Sequence, residues 1–149
     1  MDDFEIKLKI LSDGLDKKAD SLNQILNITE NQRTILEGEH TAEAMTFFKE
    51  MNSEKQNLID LVLCCDEVFE TIFKEINSCF DEKAPAYKPL ISVLQEKIEL
   101  VTDLDVKIRL QESNNRELTV KIQQTPKINV PKASKNYMMK QYENNKRKK

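Results

Sequence analysis

Positions Phe4, Leu8, Leu11, Leu15, Lys18, Leu22, Ile25, Thr29, Gln32 and Leu36 follow one another at alternating steps of four and three residues. That spacing holds one stripe of an α-helix against a neighbouring helix, turn after turn. Ile10, Leu26 and Ile35 widen the stripe. At ~1.5 Å of rise per residue, a helix over residues 3–37 is ~50 Å long. Gly14 falls inside it and weakens it locally by about 1 kcal/mol relative to Ala. Two further stretches repeat the pattern. Phe47, Met51, Leu58, Val62, Cys65, Phe69, Ile72, Ile76 and Phe80 form a second seam. Leu90, Leu94, Val101, Leu104, Ile108, Gln111, Asn115, Leu118 and Ile122 form a third, more polar in its later half, where looser packing is expected.

The chain has few places to turn. Its 149 residues, room for one domain of ordinary size, include only 2 Gly and 4 Pro, and tight corners depend on those residues. Gly38 is the expected stop of the first helix, in the left-handed conformation that glycine tolerates after a helix end. Thr41 is the expected N-cap of the second, with Glu43 in its first turn. So short a connection folds the two helices into an antiparallel hairpin. The segment Asp81-Glu82-Lys83-Ala84-Pro85 marks the second break, and Pro89 suits the first turn of the third helix, where its missing N–H costs little. Pro126 and Pro131 end the regular structure. The expected fold class is all-α: an elongated antiparallel bundle or hairpin of three long amphipathic helices with a mobile C-terminal tail. The helices are expected over residues 3–37, 43–81 and 88–124, within a bundle 1–124, and the tail over 125–149.

Charge is divided unevenly between body and tail. The net charge is -3. Residues 1–124 hold 25 acidic against 15 basic residues, a balance of −10, while residues 125–149 hold 8 basic residues against Glu143 alone, a balance of +7. An acidic body repels a nucleic-acid duplex, so no nucleic-acid partner is expected. The polar, charged tail reads as largely disordered in isolation. It nevertheless carries Ile128, Val130, Tyr137, Met138, Met139 and Tyr142, apolar and aromatic groups that a purely solvated tail does not need. Met138, Met139 and Tyr142 share a face if the segment is helical, and methionine is an adaptable contact residue. These six are the candidate partner-binding residues.

Nothing predicts chemistry. His40 lies in the first loop with no Asp, Ser or Cys placed to work with it. Cys64, Cys65 and Cys79 are odd in number with two adjacent, which speaks against a disulfide framework, so a reducing compartment is expected; they also lack the spacing of a zinc site. Two glycines cannot build a phosphate-binding loop. Pairs such as Asp2-Asp3 and Asp103/Asp105 read as solvated faces or helix-start charges, with Asp105 also a candidate for a buried, register-setting polar group beside the third seam. The expectation is a non-enzyme without metal, cofactor or catalytic residues. The acidic start does not have the plan of a signal peptide, and no apolar run reaches the ~18–20 residues of a membrane span, so a cytoplasmic protein with no membrane span is expected.

Three segments carry a resemblance. The first is residues 22–33, Leu-Asn-Gln-Ile-Leu-Asn-Ile-Thr-Glu-Asn-Gln-Arg. The second is Glu54-Lys55-Gln56-Asn57-Leu58-Ile59 with Leu63-Cys64-Cys65-Asp66-Glu67-Val68-Phe69-Glu70. The third is Thr102-Asp103-Leu104-Asp105-Val106-Lys107-Ile108, followed by Ala133-Ser134-Lys135-Asn136-Tyr137 in the tail. In order along most of the chain, these pieces resemble the flagellar export chaperones of the FlgN family, with the FliT type close by. The resemblance implies an all-α chaperone without ATPase activity that binds helical ends of hook–filament junction proteins and delivers them to the export gate. It also implies a C-terminal segment that takes part in these contacts, with Tyr137, or Tyr142 in its place, as counterpart of a tyrosine that docks on the gate. The two prolines and the very basic end of this tail depart from the family pattern.

The expected function is therefore a flagellar-type secretion chaperone for late export substrates, with a self-associating coiled-coil adaptor or scaffold as the alternative and a homodimer among the states left open. Polar interruptions of the seams at Lys18, Thr29, Gln32, Gln111 and Asn115 fit a bundle that lends a face to an incoming amphipathic helix.

Overall fold

The computed structural model describes residues 2–124. Two long helices come first, α1 (Asp3–Glu37) and α2 (Ala42–Asn77). A short α3 (Phe80–Lys83) and a 3-10 turn (Ala84–Tyr87) follow, and then α4 (Lys88–Gln124). The chain divides at Leu118 into a first unit, Met1–Leu118, and a second that begins at Thr119. The packing below is that of the first. Among the described residues there is no strand, and no helix is long and apolar enough to cross a membrane. The all-α class and the three long amphipathic helices are as the seams require.

Side-chain pairs fix the directions. Lys7 meets Glu75, Lys18 meets Asp66 and Gln32 meets Asn52, so α2 runs antiparallel to α1. Tyr87 meets Asp2, Lys97 meets Asp16 and Asn115 meets Thr29, so α4 runs parallel to α1. The result is an up-down-up arrangement in which α1 is the element most enclosed. Its seam residues Phe4, Leu8, Leu11, Leu15, Leu22, Ile25, Thr29, Gln32 and Leu36 are all buried, joined by Ser21 and Ile28. Met51, Leu58 and Ile76 from α2 and Leu94, Val101 and Leu104 from α4 complete the core.

The turns follow local chemistry, with three departures from expectation. Thr41 caps α2, its hydroxyl accepting from the Ala44 N–H at 3.0 Å. Gly38 is not left-handed: its φ of -94 and ψ of -163 are extended, and no residue has a positive φ among those described. His40 finishes the end of α1 instead, its Nε2 lying 2.8 Å from the Leu36 carbonyl oxygen, close enough to donate to it. Secondly, α2 ends at Asn77 rather than near residue 81. Asn77 and Ser78 carry short polar side chains that compete with the helical backbone bonds. Phe80 therefore belongs to α3, yet still packs against Phe4 and Phe73, with ring centroids 6.0 Å apart in both pairs. Thirdly, Ile10 does not widen the buried stripe; it stays 40% exposed. Pro89 is the second residue of α4, as the missing N–H permits.

Candidate functional site

The polar half of the seams does not stay wet. Thr29 and Gln32 of α1, Lys55 of α2 and Asn115 of α4 are all buried, and Glu112 of α4 reaches the same place half-buried. Burying a charged or polar group is unfavourable unless it finds partners, so every group here is bonded. The Lys55 ammonium donates to Gln32 Oε1 at 2.6 Å and forms an ion pair with Glu112 Oε1. Gln32 Nε2 donates to Asn52 Oδ1 at 2.6 Å. The Thr29 hydroxyl gives its one proton to the Ile25 carbonyl at 2.7 Å, while the Thr29 carbonyl accepts from Asn115 Nδ2 at 2.9 Å. Gln111 Nε2 donates to Asn115 Oδ1 at 3.1 Å. No buried side-chain nitrogen or oxygen lacks a partner among the described residues. The layer ties all three long helices together at one level.

Asp105 is not part of it. Its carboxylate is nearly half exposed and pairs with Arg109 one turn on, at 2.9 Å, because the acid lies beside the seam rather than on it. The residue that does sit on a seam, Lys55, interrupts the second stripe between Met51 and Leu58. A lysine usually keeps its ammonium in water, so sequence reasoning passed over it. The legible signal was the coincidence of that lysine with the polar run Glu112, Asn115 on the third seam and Thr29, Gln32 on the first.

Outside the core, several large apolar side chains are left uncovered. Leu61 and Leu63 of α2 and Val106 and Leu110 of α4 are each more than half exposed. So is Phe47, expected in the second seam; it lines a shallow open depression with Ala42, Glu43, Thr46 and Glu50, all on the first turns of α2. Cys64 is exposed, Cys65 and Cys79 are half-buried, and all three are free thiols. Among the described residues no group of three His, Cys, Asp or Glu side chains is placed to hold a metal ion. The candidate partner-binding residues Ile128, Val130, Tyr137, Met138, Met139 and Tyr142 lie outside the described residues.

Two ionisable contacts stand at the other end of α1. Tyr87 donates to Asp2 Oδ2 at 3.0 Å; this bond lowers the Asp2 carboxyl below its usual range and raises the Tyr87 hydroxyl. Lys7 is raised by its bonds to Asp3 and Glu75. Comparison with models of known protein families, with curated proteins and with solved structures finds no match.

Proposed function

We propose that this chain is a flagellar-type secretion chaperone: it binds late export substrates, the hook–filament junction proteins, through helix-on-helix packing and hands them to the export gate. The observation that carries the reading is the pair of large apolar side chains left uncovered two turns apart on one face of α2, Leu61 and Val68. An all-helical body with a satisfied core and uncovered apolar positions at helical spacing is suited to receiving a further amphipathic helix. Covering such a helix on an unfolded export substrate prevents its aggregation. The ordered resemblance along the chain adds the substrate class, and a cytoplasmic site of action goes with it.

Retention of hook–filament junction proteins on the immobilised full-length chain tests the reading. Defined complexes with those proteins are expected, weakened on removal of residues 125–149; retention of none of them ends the chaperone reading. The alternative is a self-associating coiled-coil scaffold, which Val106 and Leu110, one turn apart on the outside of α4, favour. Sedimentation separates the two: a scaffold forms a stable oligomer alone, a chaperone forms its complexes with substrate.

A further inference from the structure

The exposed apolar residues of α2 are not scattered. Leu61, Cys64 and Val68 are spaced three and four residues apart, so they form one strip along the helix. Leu61 is 55% and Val68 48% exposed, and the Cys64 thiol is exposed beside them. Cys65 and Ile72, half-buried, continue the strip toward the core. Its neighbours on α2 carry one sign of charge, while Lys7 of α1 is held by Glu75, two turns beyond Val68, at 3.1 Å. Glu54 precedes Leu61 by two turns on the same face, and Asp60 and Glu67 border Cys64 on the solvent side, all three exposed. Over its whole length α2 has eight acidic residues against Lys49, Lys55 and Lys74. Lys55 is buried in the polar layer, and Lys74 pairs with Glu70 at 3.0 Å.

We propose that this outer face of α2, centred on Leu61, Cys64 and Val68, is the docking surface for a basic amphipathic helix. The inference rests on the chaperone reading for its biological setting and adds the face used and the charge of the segment it receives. Charge selects the occupant. Like charges set against each other oppose association, and complementary ones speed encounter and fix register. A second copy of α2 brings the same carboxylates to the contact. Nucleic acid and anionic lipid bring phosphates. A helix with leucines at i, i+3, i+4 and i+7, flanked by lysine or arginine, fills the apolar strip and neutralises Glu54, Asp60 and Glu67.

The probe is a labelled Leu/Lys peptide of that spacing, about 18 residues or five turns long, with a Leu/Glu peptide of the same spacing as control. Both are titrated against the full-length chain by fluorescence anisotropy. The Leu/Lys peptide is expected to bind, to bind more weakly as salt screens the carboxylates, and to slow alkylation of Cys64 by N-ethylmaleimide. The double variant Leu61→Ser/Val68→Ser is expected to lose about tenfold in affinity, the scale of a truncated interface anchor, with unchanged helicity because both side chains are half in water already. Glu54→Gln/Glu67→Gln flattens the salt dependence. Val106→Ser/Leu110→Ser, on α4, leaves binding as it was. The proposal is overturned if the Leu/Glu peptide binds as tightly, if Leu61→Ser/Val68→Ser binds like the parent, if Cys64 reacts equally fast with peptide present, or if sedimentation finds the chain dimeric and Cys64 of that dimer resists N-ethylmaleimide before any peptide is added. The two readings fail separately. Retention of junction proteins undiminished by Leu61→Ser/Val68→Ser removes this surface and leaves the chaperone; Leu/Lys docking at Cys64 without retention of junction proteins removes the chaperone and leaves the surface.

Discussion

Where α1 begins, the helices meet through rings; toward its far end they meet through hydrogen bonds. Phe4 is buried between Phe80 and Tyr87, with centroid distances of 6.0 and 5.4 Å, and Phe73 and Phe69 extend the cluster. Apolar burial of this kind is strong but non-directional: a helix can rotate or slide by a little and keep most of it. Thr29, Gln32, Lys55, Glu112 and Asn115 behave in the opposite way. Their bonds are satisfied in one alignment of three helices, and a slip of one turn leaves a lysine and a glutamine buried without partners. The aromatic end thus supplies stability and the polar layer supplies register, a division of labour that buried polar groups serve in other coiled assemblies.

Substitutions at the two ends should separate those roles. Phe4→Ala is expected to have the largest effect, about 3–5 kcal/mol of stability by chemical denaturation, since a fully packed ring leaves a cavity. A cost no greater than that of an exposed residue breaks the contrast at once. Glu112→Ala is expected to cost about 2 kcal/mol, below the ~3–5 of a fully buried pair, because the glutamate side chain is 34% exposed. Here the sharper measurement is the double variant Lys55→Met/Glu112→Leu, which removes both charges together but takes from the buried Gln32 Oε1 its donor, and so should regain only part of that loss. If it is worse than Glu112→Ala alone, the layer stabilises as well as aligns.

Gly14→Ala works between the two regions. The glycine is helical, and a Cβ added there has no atom within 4 Å. The substitution should raise stability by about 1 kcal/mol, read as a higher melting temperature. The smallest effect concerns pH. Asp2 is depressed by the Tyr87 bond, so its contribution is present above its usual value of 3.8 and lost as pH falls through the lower folded value. Tyr87 is raised, so its contribution is present below 10.0 and lost as pH rises through the higher folded value. Tyr87→Phe should remove both edges from the denaturation midpoint plotted against pH while leaving the middle of the range nearly flat.

How much of this was legible in advance divides along the same line. The aromatic end was written in the spacing: every residue from Phe4 to Leu15 on the first seam is buried as the alternation of four and three demands. Thr29 and Gln32 were also placed on that seam by position, but their polarity read as a weakness of packing, and the structure closes them instead. What periodicity could not reveal is which residue on another helix answers them. Lys55 answers, and a lysine is the type least expected inside. The outer faces were harder still. Leu61 and Val68 flank the second seam, and a helix with an apolar stripe wider than its core needs looks in sequence like a helix with a wide core. The candidate contacts at Ile128, Val130, Tyr137, Met138, Met139 and Tyr142 stand apart from all of this, outside the described residues.

The enclosure of Lys55 has a chemical corollary. An amine 10% exposed and held by a carboxylate and an amide is shielded from acylating reagents for as long as the three helices stay together, whereas Lys49 on the same helix is open to them. The ratio of acylation rates at those two amines is therefore a clock for the parting of the helices, needing no engineered reporter, and it would slow or quicken as a bound partner holds the body shut or prises it apart.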